Sequence, residues 1–189
     1  MPTAIHARDE VIDRLFATFR SAGYDGASLA DIASATGLGR SSLYHHFPGG
    51  KEEMASAVLD RVDAWLDLRI VQPLQGDGTP GERLDRMAAA LDEFYDGGRE
   101  RCILGAFVVG QSGQLFGKRL AAVFERWIGA LAAVARESGV DPREARRRAE
   151  AAVMAVQGAV VLVAALDDPK PFRTMLAELP RAILGPDPA

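Results

Sequence analysis

The chain has 189 residues, 48% of them hydrophobic and 25% charged, with a net charge of −4. That composition excludes a disordered chain, and the length suits one compact unit or a small domain plus a larger one. The acidic balance argues against a non-specific nucleic-acid coat, and the single cysteine, Cys102, rules out an intrachain disulfide and fits a reducing cytoplasm.

The opening residues, MPTAIHARDE, are polar and mixed in charge, so no signal peptide is expected. From about Ile5 to Ala22, Val11, Ile12, Leu15, Phe16 and Phe19 recur at helical spacing, and Gly23-Tyr24-Asp25-Gly26 closes that helix. Ser28 then reads as an N-cap with Asp31 three residues on, close to a capping box. Leu29, Ile32 and Ala33 give the new helix one apolar face. Gly37 stops it, because glycine takes the left-handed C-cap conformation without strain. Leu38 plugs the angle of the turn. Arg40 to His46 forms a second short helix with Leu43 and Phe47 inward, ended by Pro48-Gly49-Gly50. Two helices set at an angle around a glycine turn are a helix-turn-helix, whose second helix enters a DNA major groove.

The stretch SLADIASATGLGRSSLYHHFPGGK, Ser28 to Lys51, resembles the TetR family of transcriptional regulators. The form HFPGGKEEM, with CILGAF further on, is similar to the LmrA/YxaF-type subgroup. The resemblance covers about fifty N-terminal residues, the first helix included. It implies that Tyr44 and Lys51 hold phosphates and that Ser28 caps a helix whose N-terminus faces the DNA backbone. Free N–H groups and the helix dipole favour an anion there.

Further along, early carboxylates after Gly50 suit the start of a fourth helix, which keeps its spacing through Met54, Val58, Val62, Trp65 and Leu66 to about Val71. Pro73 and GDGTPG read as a loop. Thr79, Pro80 and Glu82 start the fifth helix, and Gly97-Gly98 ends it. The stretch Cys102 to Ser112 reads as a short buried helix, and Leu115 to Ser138 as a longer one stopped by Gly139. Asp141-Pro142 begins a helix that turns apolar nearly all round after Ala151. The apolar run Ala151–Leu166, 16 residues broken by Gln157 and Gly158, is short for a membrane span. Asp168-Pro169 starts the last helix, which Pro180 should kink or shorten, and the tail GPDPA is expected to fray. The expectation is an all-α fold of about nine helices. A three-helix DNA-binding domain would occupy residues 1–50, and a helical effector-binding and dimerisation domain residues 51–189.

The exposed residues of the second short helix are Arg40, Ser41, Ser42, Tyr44, His45 and His46. Arg40 can take a guanine edge through two hydrogen bonds, while Ser42 and His45 can meet bases or phosphates. With Ser28 and Lys51 these make the expected DNA face. Residues 1–51 carry five Lys/Arg and five Asp/Glu, so that face is not strongly basic and its contacts are few and local. The pair His45-His46 has no third ligand near in sequence, His6 being remote, so no metal is expected, and no cofactor. No GxSxG, HExxH or P-loop pattern points to an enzyme.

In the body, bulky apolar and aromatic residues mix with a few polar ones, as small-molecule pockets do. The candidates are Trp65, Met87, Phe94, Tyr95, Cys102, Phe107, Gln111, Phe124, Trp127, Met154 and Gln157, each of which can equally be plain core. A second apolar face on the helix that is apolar nearly all round asks either for burial as a central helix within one subunit or for an isologous partner, forming a four-helix bundle. The candidate dimer residues are Ala152, Val156, Ala159, Val160, Val163, Phe172, Met175 and Leu179. The combined expectation is a cytoplasmic homodimer that binds palindromic double-stranded operator DNA and is released by a small apolar or aromatic effector. The alternative is a helical small-molecule-binding protein whose head does not bind DNA.

Overall fold

The computed structural model describes residues 8–185. Residues 5–7 of the expected first helix, His6, and residues 186–189 of the tail lie outside the described residues. Among the described residues the structure is helical throughout, with no strand. We number nine helices: α1 Arg8–Gly26, α2 Leu29–Thr36, α3 Arg40–His46, α4 from Gly50 to Gln75, α5 Pro80–Phe94, α6 Ile103–Val108, α7 Gly110–Glu137, α8 Pro142–Leu166 and α9 Lys170–Leu184. By packing, the described residues up to 64 and residues 103–120 form one compact unit, and residues 65–102 with the described residues from 121 onward form a second. This seam differs from the expected division after residue 50, which falls at the start of α4. The reason is that α6 and the start of α7, distant in sequence, pack with the N-terminal helices.

In the first unit, Val11, Leu15 and Phe19 of α1, Ile32 of α2, Leu43 and Phe47 at α3, and Met54 and Val58 of α4 are all essentially inaccessible. Leu38 fills the turn as expected. Phe19, Tyr24, Phe107 and Phe116 form an aromatic cluster, Phe19 meeting Phe107 edge-on at 5.6 Å between centroids and Tyr24 meeting Phe116 at 6.1 Å. Helix α1 does not simply close at Gly23. That glycine takes φ 71° and kinks the helix, which runs on to Gly26.

Two boundaries moved for physical reasons. Helix α4 does not end before Pro73. It starts as Gly50–Leu66, widens to a π-turn over Asp67–Val71, and closes with Gln72–Gln75. The π-turn ends with Gln72 N–H bonded to Asp67 O, five residues back, and Pro73 then sits in the first turn of the next segment, where its missing N–H is tolerated. Likewise α7 starts at Gly110, five residues before the expected Leu115, and α6 ends at Val108. Its side chains Val108 and Val109 are exposed, so this stretch is not buried along its length.

In the second unit, α5 begins with a complete capping box between Thr79 and Glu82. Its Arg83, almost fully buried, donates to Leu74 O at 3.1 Å and pairs with Glu137 of α7. Asp141 accepts the N–H groups of Arg143 and Glu144 and starts α8. Helices α8 and α9 pack together, and Pro180 does not shorten α9, which continues to Leu184. The turn Asp96-Gly97-Gly98 has positive φ throughout, and a Cβ on Gly98 would lie 2.6 Å from Cβ of Phe172.

Candidate nucleic-acid interface

Local sequence chemistry builds the reading head. The capping box expected at Ser28 is complete: Asp31 N–H donates to Ser28 Oγ at 3.1 Å, and Ser28 N–H and Oγ donate to the Asp31 carboxylate at 3.0 and 2.6 Å. Those bonds hold the Asp31 carboxyl below its ordinary pKa. The N-terminus of α2 therefore already faces a carboxylate, which a phosphate would have to share. Gly37 takes φ 69° as the left-handed C-cap, and Thr36 Oγ1 accepts the N–H of Leu38 at 3.4 Å, fixing the turn.

Helix α3 follows with Leu43 inward and Arg40, Ser41, Tyr44 and His45 exposed, while Ser42 and His46 are half-buried. The arrangement gives a polar outer face on a short rod. Tyr44 is 43% exposed, with its ring against the backbone of Gly50. Lys51 is half-buried, its ammonium 4.5 Å from the Tyr24 ring centroid. Burial, reinforced by Glu52 and Asp25, raises the Tyr24 phenol above its usual pKa. His45 and His46 stand 6.0 Å apart between ring centroids. Among the described residues no group of three or more His, Cys, Asp or Glu is arranged to hold a metal.

Two residues of α1 complete this head and carry no sequence signal. Arg8 donates to the carbonyl of His46, the last residue of α3, and Arg14 donates to the carbonyl of Thr36, the last residue of α2, at 3.0 Å. A helix leaves its final carbonyls unpaired, and a cation there also meets the negative end of the dipole. The acceptors are backbone atoms, so no side-chain pattern announces the pairing. The Arg8 guanidinium lies 4.6 Å from the Phe47 ring centroid and 3.7 Å from the Glu53 carboxylate. Glu53 in turn accepts Gly49 N–H at 2.7 Å, so the α3–α4 turn is fastened from both sides.

The expected effector residues do not form one set. Phe107 and Gln111 belong to the first unit, where Phe107 is core of the aromatic cluster and Gln111 is exposed. In the second unit, Met87, Tyr95, Cys102 and Trp127 are buried, Trp65, Phe94, Phe124 and Gln157 are half-exposed, and Met154 is 65% exposed on the outside of α8. Trp65 stacks near Phe94 at 4.0 Å between centroids, and Tyr95 Oη lies 3.3 Å from Cys102 Sγ. Trp127 Nε1 and Gln157 Nε2 are buried without a hydrogen-bond partner.

The dimer candidates also divide. All of them are buried within the single chain except the half-buried Met175. Ala152, Ala159, Met175 and Leu179 line an open apolar groove of about 410 Å³ between α8 and α9, with Ala155, Gly158 and Leu162. The outward apolar residues of α8 are Met154, Val161, Leu162 and Leu166. By length and composition alone α8 could cross a membrane, a test that core and interface helices also meet, and 39% of its apolar stretch is buried inside the chain. The remainder is exposed or part-exposed in the single chain.

The comparisons with known proteins agree with this geometry. Residues 11–58 match the family described as bacterial regulatory proteins, tetR family. Residues 80–178 match the family described as transcriptional regulator LmrA/YxaF-like, C-terminal domain. The HTH-type transcriptional regulator LmrA of Bacillus subtilis is 27% identical over 45% of each chain. The uncharacterized HTH-type regulator YxaF of the same organism is 21% identical over 92% of this chain and 93% of its own. A TetR transcriptional regulator from Legionella pneumophila superposes with a TM-score of 0.81 at 20% identity, covering 97% of this chain and all of that one. A second from Chloroflexus aurantiacus gives 0.73 at 25% identity over 94% of both chains. With a capped helix-turn-helix and a matched helical body, the chain belongs to the TetR family of transcriptional regulators, with an LmrA/YxaF-like C-terminal domain.

Proposed function

We propose that this regulator is a cytoplasmic homodimeric repressor that reads a palindromic operator with α3 and leaves it when a small apolar or aromatic effector binds the body. The observation that carries the reading is the polar outer face of α3, with Arg40, Ser41, Tyr44 and His45 exposed around a buried Leu43. Arg40 reads a base edge, Ser41, Ser42 and His45 meet bases or phosphates, and Ser28, Tyr44 and Lys51 position the head on phosphates. The head's near-neutral charge calls for such local contacts rather than a broad field. Repression has support from relatives whose names state it, such as the HTH-type transcriptional repressor KstR2 of Mycobacterium tuberculosis, 34% identical over 47% of this chain.

A second copy supplies the cover for α8 and α9. Met154, Val161, Leu162 and Leu166 leave large apolar side chains exposed along α8, the kind of surface a partner covers. Packed against its symmetry mate, that surface makes an isologous four-helix bundle and brings two heads to half-sites about 34–36 Å apart or a multiple of one turn. The effector reading rests on the aromatic residues Trp65, Phe94, Tyr95, Phe124 and Trp127 of the second unit and on the unpartnered buried donors Trp127 Nε1 and Gln157 Nε2. Linkage requires that operator DNA weaken effector binding by the same factor by which effector weakens DNA binding.

The test starts with selection of duplexes from a random-sequence pool on the full chain. The expected product is a palindrome bound by a dimer, with affinity falling steeply as salt rises. Titration of that complex with a panel of hydrophobic compounds should find one that releases it. A chain that retains no duplex removes the DNA-reading proposal, and a complex indifferent to every bound compound removes the switch.

A further inference from the structure

The geometry points to Arg8 and Arg14 as positioning residues of DNA recognition: from α1 they close the carbonyl ends of α3 and α2 and so set the angle at which Arg40–His46 meets the groove. The inference rests on the DNA-reading role of α3 and adds residues that touch no base.

Helix α3 has seven residues, and an isolated helix of that length does not hold itself in water. Its direction must come from what it is fastened to. On the inner side that is the burial of Leu43 and Phe47. At its N-terminus Gly39 supplies no side-chain cap, and the first turn is closed only by Leu43 N–H donating to Gly39 O at 3.0 Å. At its C-terminus Phe47 N–H returns to Leu43 O at 2.8 Å, and the carbonyl of His46 is met by Arg8. Arg8 is therefore the charged tether of the recognition helix, and its three contacts come from three consecutive pieces: the end of α3, the Phe47 ring in the turn, and Glu53 of α4. Arg14 does the same for α2 at Thr36, with Glu10 holding its other nitrogen at 2.7 Å. One helix thus sets both members of the motif, and a tilt of α1 would be passed to each.

An arginine near the head could instead be a phosphate contact, and the two roles differ in salt dependence. A positioning residue changes affinity for the right sequence and leaves the number of neutralised phosphates unchanged. A phosphate contact lowers the slope of log K against log salt by about 0.9 when removed.

The experiment uses the full chain, a duplex recovered by selection from a random pool, and a scrambled duplex of equal length. Binding is followed by fluorescence anisotropy at several salt concentrations, with the active fraction fixed by stoichiometric titration so that lost folding is not read as lost affinity. Arg8→Ala should bind the selected duplex about tenfold more weakly and the scrambled one within about threefold of the parent, with the salt slope unchanged. Arg8→Lys, which keeps a charged donor, should recover part of the loss, and Arg14→Ala should repeat the pattern. A slope flattened by about 0.9, equal losses on both duplexes, or unchanged affinity would overturn the assignment. If the parent chain retains no duplex, DNA reading itself fails; if the parent binds and the variants match it, only the positioning role does.

Discussion

The carboxylate of Asp25 accepts the backbone N–H of Gln111 at 2.9 Å, although 86 positions separate them. Asp25 thereby caps α7 from the end of α1. Gly110 makes the approach possible: it sits at φ 70°, and a Cβ there would lie 1.9 Å from Asp25 Oδ2. Asp25→Ala should lose roughly 1 kcal/mol, the usual worth of an N-cap. Gly110→Ala should lose about 2 kcal/mol or more, because left-handed strain and a clash add to the lost cap. Thermal or denaturant unfolding of the two variants checks the order. A Gly110→Ala protein as stable as its parent would refute the close approach.

Arg40 and Lys51 should fail in different ways. Arg40→Ala should relax sequence preference at one position of each half-site, costing about 1–3 kcal/mol against the preferred base. Lys51→Ala should weaken binding to every sequence alike and flatten the salt slope by about 0.9. Because the Lys51 ammonium also rests on the Tyr24 ring, that variant should unfold somewhat more easily, whereas Arg40→Ala should not. Selection and salt titration of both proteins separate these outcomes. Equal effects on specificity would count against the division of roles.

Assembly should respond to the outward residues of α8 and not to the inward ones. Leu162→Glu places a charge on a residue 49% exposed in the single chain and lining the groove between α8 and α9. The variant should stay folded but remain monomeric in light scattering, and bind single half-sites weakly. Val156→Ala, at a fully buried position, should instead lower stability by roughly 2 kcal/mol and leave the dimer intact. Reversal of the two results would place the interface elsewhere.

Acid should weaken the start of α8 within a defined window. Hydrogen bonds from Arg147 and Arg148 hold the Glu144 carboxyl down from 4.5 to about 2. A group depressed on folding stabilises above its unfolded value and loses that contribution as pH falls through the folded one. The stability gap between the parent and Glu144→Gln should therefore be full at neutral pH and close between about 4.5 and about 2. A gap constant over that range would show that the pairs contribute nothing.

What the sequence displays depends on how locally each feature is made. The helix-turn-helix is legible because Ser28, Asp31 and Gly37 build its caps from residues within a few positions of one another. Thr79 and Glu82 announce α5 for the same reason. The start of α7 is not legible, since its cap arrives from Asp25, and neither are the tethers at His46 and Thr36, whose acceptors are carbonyls. Pro73 and Pro180 read as stops because a proline lacks an N–H, yet a π-turn before one and the continuing α9 around the other accommodate them. Apolarity marks α8 as needing cover on two sides, but not which residues face which way. Thus Val156, Val160 and Val163 prove inward while Val161 and Leu162 point out. The same blindness applies to the aromatics: Phe107 and Trp127 read alike in sequence and lie in different units.

Gly98 ties the two themes together. With hydrogen alone as its side group, it lets Phe172 and Val163 settle directly on the bend that follows α5. Any bulkier residue there would lift the final helix off its bed and warp the surface proposed to meet a twin molecule. If the proposed pairing holds, a genetic screen for solitary protein should consequently recover changes at this glycine, which rests on Phe172 and Val163 of its own chain. On the proposed assembly, the ability to pair would thus be written partly into a bend beneath α8 and α9.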